Sequence, residues 1–153
     1  MSAAESGALV FSESVHVRYS DTDAQGHLYF AKYMIYADEV AGSYMQALGL
    51  DAMNPQRAPC FIFTVNINCD FLGECVAGER VRVDVGYRRL GRSSAELAFH
   101  LSLEATREPL AAGSLTQVFV DKETRKPCPL PAAYRAAILQ RQPALADTAD
   151  TPA

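Results

Sequence analysis

Between Phe11 and Ser20 the chain alternates: Val15, Val17 and Tyr19 are apolar, and His16, Arg18 and Ser20 are polar. A period of two sends successive side chains to opposite faces, so this segment predicts a half-buried first strand. The period then changes. From about Phe30 to Leu48, the residues Met34, Ala37, Ala41, Tyr44 and Leu48 recur at helical spacing, and Tyr33, Tyr36 and Val40 widen their stripe. Asp38, Glu39, Ser43 and Gln46 lie away from it. A stripe this wide predicts a long, mostly buried helix. Gly49 predicts its end, because glycine takes the left-handed conformation of a helix C-terminus at little cost. Alternation then resumes. Phe61, Phe63, Val65, Ile67, Cys69 and Phe71 form one uniformly apolar face; Val81, Val83, Val85 and Tyr87 form another. Ala95, Leu97, Phe99, Leu101 and Leu103 form a third after a turn at Leu90-Gly91-Arg92. These patterns predict a long second strand and a hairpin of strands three and four. A fifth strand, about Ala111 to Val120, is apolar on both faces, which places it centrally in the sheet or under a partner. Pro131 opens a short amphipathic helix to about Gln140, since proline is tolerated at the first helical position.

The expected fold class is therefore α+β. A sheet must bury its apolar face and a helix this apolar must be surrounded. A curved antiparallel five-stranded sheet wrapped around the long central helix meets both demands, with the short helix at the C-terminal end. One domain is expected over residues 9–142; residues 1–8 and 143–153 are small and polar, have little to bury, and are expected to be flexible. With 153 residues, 49% of them hydrophobic and 21% charged, the chain can build one core without a disulfide or metal staple. The net charge of −4 argues against nucleic acid or an anionic membrane as partner. No apolar run approaches the roughly 20 residues of a membrane span. Cys60, Cys69, Cys75 and Cys128 show no CxxC or Cys/His ligand spacing, so no metal and no cofactor are expected. The N-terminus lacks the basic and apolar regions of a signal peptide, and the protein is expected to be cytoplasmic with reduced thiols.

The chemistry-bearing segment is Asp21-Thr22-Asp23-Ala24-Gln25-Gly26-His27, which joins the first strand to the long helix. Backbone N–H groups in a helix's first turn have no internal partner and carry partial positive charge, so they bind an oxyanion or polarise a carbonyl. Gly26 lets the backbone approach a ligand. On spacing alone, Asp21 and Asp23 are ordinary loop or capping residues. No GxSxG elbow is present: Gly91-Arg92-Ser93-Ser94-Ala95 lacks the final glycine and lies on a hairpin.

Over roughly residues 12 to 140 the chain resembles the 4-hydroxybenzoyl-CoA thioesterase family of hot-dog proteins. The resemblance is carried by Arg18-Tyr19-x-Asp21-Thr22-Asp23-x-x-Gly26 with aromatics and Tyr33 after it. Leu90-Gly91-Arg92-Ser93-Ser94 supports it, as does Val118-Phe119-Val120-Asp121 before Pro129-Leu130-Pro131. It implies hydrolysis of an acyl-CoA to the free acid and coenzyme A, the coenzyme being part of the substrate. It further implies Asp23 as the catalytic carboxylate, either nucleophile or general base, and the Phe30 N–H as the group that polarises the thioester oxygen. It also implies a homo-oligomer, a dimer or a dimer of dimers (a homotetramer), with active sites at the subunit interface. Asp21 then holds the loop or Arg18. His27 orients water, bonds the acyl group, or pairs with backbone; Tyr29, Phe30 and Tyr33 wall the acyl pocket or belong to the core. Arg88, Arg89 and Arg92, with Ser94, either bind the phosphates of coenzyme A, which guanidinium matches with paired donors, or sit solvated on the hairpin. Two rival readings share the fold: an enoyl-CoA hydratase or dehydratase using Asp23 and His27, and a non-catalytic acyl-CoA binding protein.

Overall fold

The computed structural model describes residues 8–148. Five strands form one antiparallel sheet: β1 (Phe11–His16), β2 (Phe61–Phe71), β3 (Arg80–Leu90), β4 (Ser94–Leu103) and β5 (Pro109–Val120), in the spatial order β1-β3-β4-β5-β2. The long helix α1 (Phe30–Ala47) lies on one face, mainly over β3, and α2 (Ala132–Arg141) follows the last strand. The five-stranded antiparallel sheet against one long helix, read from the periodicity, is the arrangement observed. β5 lies inside the sheet, paired along both edges, between β4 and β2.

The core forms where the strand and helix patterns meet. Val81, Val83, Val85 and Tyr87 of β3 and Leu97, Phe99 and Leu101 of β4 are buried against Tyr36, Ala37, Val40, Ala41 and Tyr44 of α1. Register matches residue to residue, with Val83 opposite Leu101, Val85 opposite Phe99 and Tyr87 opposite Leu97. α1 ends where Gly49, at φ +88°, turns back and the Leu50 amide donates to the Met45 carbonyl. A buried polar network fixes the C-terminal segment. Gln142 receives hydrogen bonds from the Tyr44 hydroxyl and the Tyr87 amide, and the Tyr87 hydroxyl bonds Gln117 and Tyr134. The cysteines are free, Cys60 and Cys75 buried and Cys69 and Cys128 half-buried.

Three expectations change. β1 stops at His16 instead of Ser20: the chain turns through a short 3-10 helix, Tyr19–Asp21, and Tyr19 is 87% exposed instead of joining the strand's inner face. The apolar face of β2 is not buried within the chain. β2 is an edge strand with a bulge at Val65 that divides its alternation: Phe61 and Phe63 pair with Val120 and Val118 on the face opposite Ile67, Cys69 and Phe71, which pair with Leu115, Gly113 and Ala111, and Phe63, Val65 and Phe71 stay exposed. Finally, residues 143–148 form a 3-10 helix that buries Leu145, extending the ordered structure past residue 142. The expected flexible segments at 1–7 and 149–153 lie outside the described residues.

Candidate active site

Asp21 and Asp23 are two residues apart and meet opposite environments. Asp21 is 1% exposed. Its carboxylate accepts from the Tyr36 hydroxyl at 2.6 Å and from the Arg18 amide at 3.2 Å, and its oxygens lie 3.4 Å from the Arg18 guanidinium and from Lys32 Nζ. Burial by itself would raise its pKa; the Tyr36 and Arg18 hydrogen bonds outweigh that and bring it to about 2. The Tyr29 amide donates to the Asp21 carbonyl, so this residue pins the loop to the start of α1.

Asp23 stands on the exposed tip of that loop. Thr22 and Leu28 pair as in a hairpin, the Asp23 amide donates to the His27 carbonyl, and the Gly26 amide donates to the Asp23 carbonyl. The turn needs Gly26 at φ +83°, a conformation open to glycine at no steric cost. Asp23 Oδ1 accepts from the Gln25 amide at 2.9 Å, which orients the carboxylate and leaves Oδ2 to solvent. The loop is anchored below by Leu28 N–H to the Cys75 carbonyl and by the pairing of His27 with Val76. His27 is half-buried, with Nδ1 3.3 Å from Glu74 Oε2.

Immediately after the loop, α1 starts at Phe30 with Tyr29 as its N-cap and no side chain capping it. The Lys32 amide donates to the Tyr29 carbonyl, so the first-turn amides left as donors at the foot of the Asp23 loop are those of Phe30 and Ala31. Tyr29 and Phe30 are exposed and pack edge to face at 4.8 Å, and Phe71 meets Phe30 and Tyr33. Tyr33 itself is buried; its hydroxyl donates to the Gly73 carbonyl, and burial raises its pKa.

The arginines lie elsewhere. A register shift after Tyr87 turns both Arg88 and Arg89 toward Glu96, at 2.5 and 3.7 Å. Arg88 also donates to Ser114, which in turn accepts from Asn68. Arg92 is exposed at the β3–β4 tip, and Ser94 is buried at the start of β4. That tip is held by the C-terminal part of the chain: the Phe119 amide donates to the Ser93 carbonyl, the Leu130 amide to the Arg92 carbonyl, and Arg135 to the Gly91 carbonyl. The two supporting sequence motifs are thus one packed unit. It lies far from Asp23. β3 begins at Arg80, next to the loop's anchor at Val76, and reaches Leu90 roughly 30 Å away.

A family model matches residues 17–138. The chain belongs to the thioesterase-like superfamily. YsmA, an uncharacterised protein of Bacillus subtilis, is 32% identical to it over 116 residues, 76% of each chain. The 1,4-dihydroxy-2-naphthoyl-CoA hydrolase of Synechococcus elongatus is 26% identical over 117 residues, 75% of this chain and 85% of that protein. A crystal structure of a thioesterase from Thermus thermophilus, complexed with coenzyme A and zinc, superposes with a TM-score of 0.77 at 25% identity, over 89% of this chain and 96% of that one.

This superfamily member also has a cavity of about 430 Å³ between α1, the segment 52–60 and the start of β2, lined by Asp38, Glu39, Met45, Phe61, Phe63 and Gln117 among others. Sequence reasoning missed it. Asp38 and Glu39 read as the solvated side of α1, and the aperiodic segment 52–60 gave no signal that it folds beside them. Among the described residues, no cluster of three or more His, Cys, Asp or Glu side chains is placed to hold a metal ion. No helix among them is long and apolar enough to cross a membrane.

Proposed function

We propose that this acyl-CoA thioesterase hydrolyses its substrate to the free acid and coenzyme A with Asp23 as nucleophile or general base. First-turn amides of α1, Phe30 above all, polarise the thioester carbonyl. The observation that carries this is the pairing of an exposed, oriented carboxylate with an uncapped helix N-terminus directly behind it. A thioester is an activated acyl donor, so a placed carboxylate and an oxyanion site suffice for its hydrolysis. Gly26 keeps the loop tip slim. His27, Tyr29 and Tyr33 border the place where the thioester lies, with Tyr33 holding the wall through Gly73. The Synechococcus relative named as a hydrolase of an aromatic acyl-CoA supports the substrate class, and so does the coenzyme A bound to the Thermus neighbour.

Within one chain this machinery is divided. Asp23 and the Phe30 amide stand at one end of α1. The cavity runs along α1 from Asp38 to Met45, roughly 12 to 22 Å along the helix from Phe30. Arg92 and Ser94 share the cavity's end of the sheet, because Phe61 pairs with Val120 and Ser94 with Val118. We infer a homodimer in which two β2 edges pair antiparallel. That geometry covers Phe63, Val65 and Phe71 and brings the Asp23 loop of one chain beside the cavity and the Arg92 tip of the other. Arg92 and Ser94, with Arg88 and Arg89 once released from Glu96, then receive the phosphates of coenzyme A. Pairing of such dimers through their outer sheet faces gives the homotetramer, acting in the cytoplasm.

The test is thiol release across aromatic and aliphatic acyl-CoAs by the wild type and Asp23→Asn. The variant is expected to fold normally and lose roughly 100-fold or more in kcat, the scale of a placed acid or base. A folded variant with near-normal turnover overturns the assignment.

A further inference from the structure

Gly42 is the one glycine of α1, and its backbone conformation does not require it. It is buried in the middle of the helix and has no positive φ, and a glycine in a helix interior is less favourable than an alanine. Close packing of the backbone does not require it either. At Gly86 and Gly113 a backbone carbonyl of a neighbouring segment stands where a side chain would go. Over Gly42, apart from the helix's own backbone, the only described atom within 4 Å of the place a Cβ would take is the Met53 Cε, at 2.8 Å. Both residues line the cavity beside α1, so the missing side chain serves Met53 and the cavity.

Met53 supplies an independent observation. Its backbone segment is held: the Asn54 amide donates to the Asp51 carbonyl, the Ala58 amide to the Asn54 carbonyl and Lys122 Nζ to the Pro55 carbonyl, and Arg57 pairs with Asp51 at 2.8 Å. Leu50 and Ala58 are buried on either side of it. The Met53 side chain, in contrast, is 63% exposed, with its tip on Gly42. A large apolar side chain on a held backbone, seated over a glycine at a cavity, is a movable wall. Methionine suits that use, because its unbranched thioether turns about three bonds.

The rest of the lining indicates what the cavity takes. Met45, Ala58, Cys60 and Gln117 are buried around it and carry no charge. Gln117 is hydrogen-bonded at both ends, Oε1 accepting from the Tyr87 hydroxyl and Nε2 donating to the Met45 sulfur. This interior needs no further polar partner, and a charged group entering it would lose water without gaining one. The two carboxylates of the lining, Asp38 and Glu39, are exposed to solvent.

We propose, resting on the thioesterase reading above, that the cavity receives an uncharged hydrocarbon acyl group and that Met53 is its specificity-determining residue. Seated on Gly42, Met53 sets the longest chain that fits.

The experiment uses the full chain, straight-chain acyl-CoAs of increasing length, and their non-hydrolysable thioether analogues ending in methyl or carboxylate. Thiol release gives kcat/KM at each length and calorimetry gives the affinity of each analogue, for the wild type, Met53→Ala and Met53→Leu. Met53→Ala removes the Cγ, Sδ and Cε atoms, so the longest chain accepted is expected to grow by about three carbons. At that length, the ratio of its kcat/KM to that for a short chain is expected to exceed the wild-type ratio roughly 10-fold or more, the scale of a few methylenes admitted or refused. Met53→Leu, close to methionine in volume, is expected to keep the wild-type ratio. A length profile unmoved in Met53→Ala, or lowered equally at every length, overturns the inference. So does equal affinity for the methyl-ended and carboxylate-ended analogues, or a wild type that binds no straight chain. Affinities that shift with Met53 as expected, without thiol release, remove only the thioesterase reading. Thiol release that depends on Asp23 with an unmoved length profile removes only the role of Met53.

Discussion

Asp21 and Asp23 show how surroundings divide two like side chains into different roles. Asp21 is surrounded by donors from Tyr36, Arg18 and Lys32, so its negative charge belongs to the fold. Asp21→Asn removes the charge and turns one of the two acceptor oxygens into a donor facing other donors, and is expected to cost about 2 kcal/mol in chemical denaturation. The pH dependence follows from the direction of its shift. A carboxyl depressed from 3.8 to about 2 contributes stability that is fully present above the ordinary value and is lost as pH falls through the depressed one. Wild-type stability is therefore expected to fall between pH 4 and pH 2, and the fall should be shallower in Asp21→Asn; an equally steep loss in the variant contradicts the assignment. The partition between the two aspartates was partly legible in the sequence. The Arg18-to-Gly26 motif separates them, and Arg18 three residues before Asp21 is a natural partner. The Tyr36 hydroxyl was not legible, since that residue reads as core and only the folded helix brings it to the loop.

At the scale of elements, α1 connects the loop to its chemistry. Its start was legible from the change of period at Phe30, and its end from Gly49. What periodicity does not encode is a bulge, so β2 read as one apolar face although the extra residue at Val65 puts Phe61 and Phe63 on the face opposite Ile67, Cys69 and Phe71. The arginine pairs escaped for a related reason: alternation places Arg88 and Arg89 on opposite faces, and the register shift beside them turns both to Glu96. The role of the helix start admits a direct test. Phe30 occupies the first helical position, where proline is tolerated, and Tyr29 at φ −62° and ψ 134° already has the conformation required before proline. Phe30→Pro therefore removes the N–H with little disturbance of the helix. It is expected to lower kcat by roughly 100-fold relative to Phe30→Ala, the scale of a lost oxyanion donor. Equal rates in the two variants would show that this amide does not touch the reacting carbonyl.

Across the whole molecule, a carboxylate and helix start stand at one end of α1 and a cavity and arginine-bearing tip at the other, and the proposed dimer is what would join them into one site. The exposed apolar residues Phe63, Val65 and Phe71 lie on β2, the edge strand proposed to pair. Disrupting this edge with Val65→Lys is expected to yield monomers in sedimentation and to abolish thiol release although Asp23 is untouched; an active monomer would contradict the shared site. The most direct measurement is complementation. Asp23→Asn lacks the carboxylate, and Gly42→Leu adds bulk to the cavity, where even a Cβ would approach Met53 Cε to 2.8 Å. Each variant alone should be inactive. Co-expressed and purified as the mixed dimer through two different tags, they should regain about half of the wild-type activity per dimer, because one of the two symmetry-related sites then combines an intact Asp23 with an intact cavity. A mixed dimer as inactive as its parents would contradict a site built from two chains.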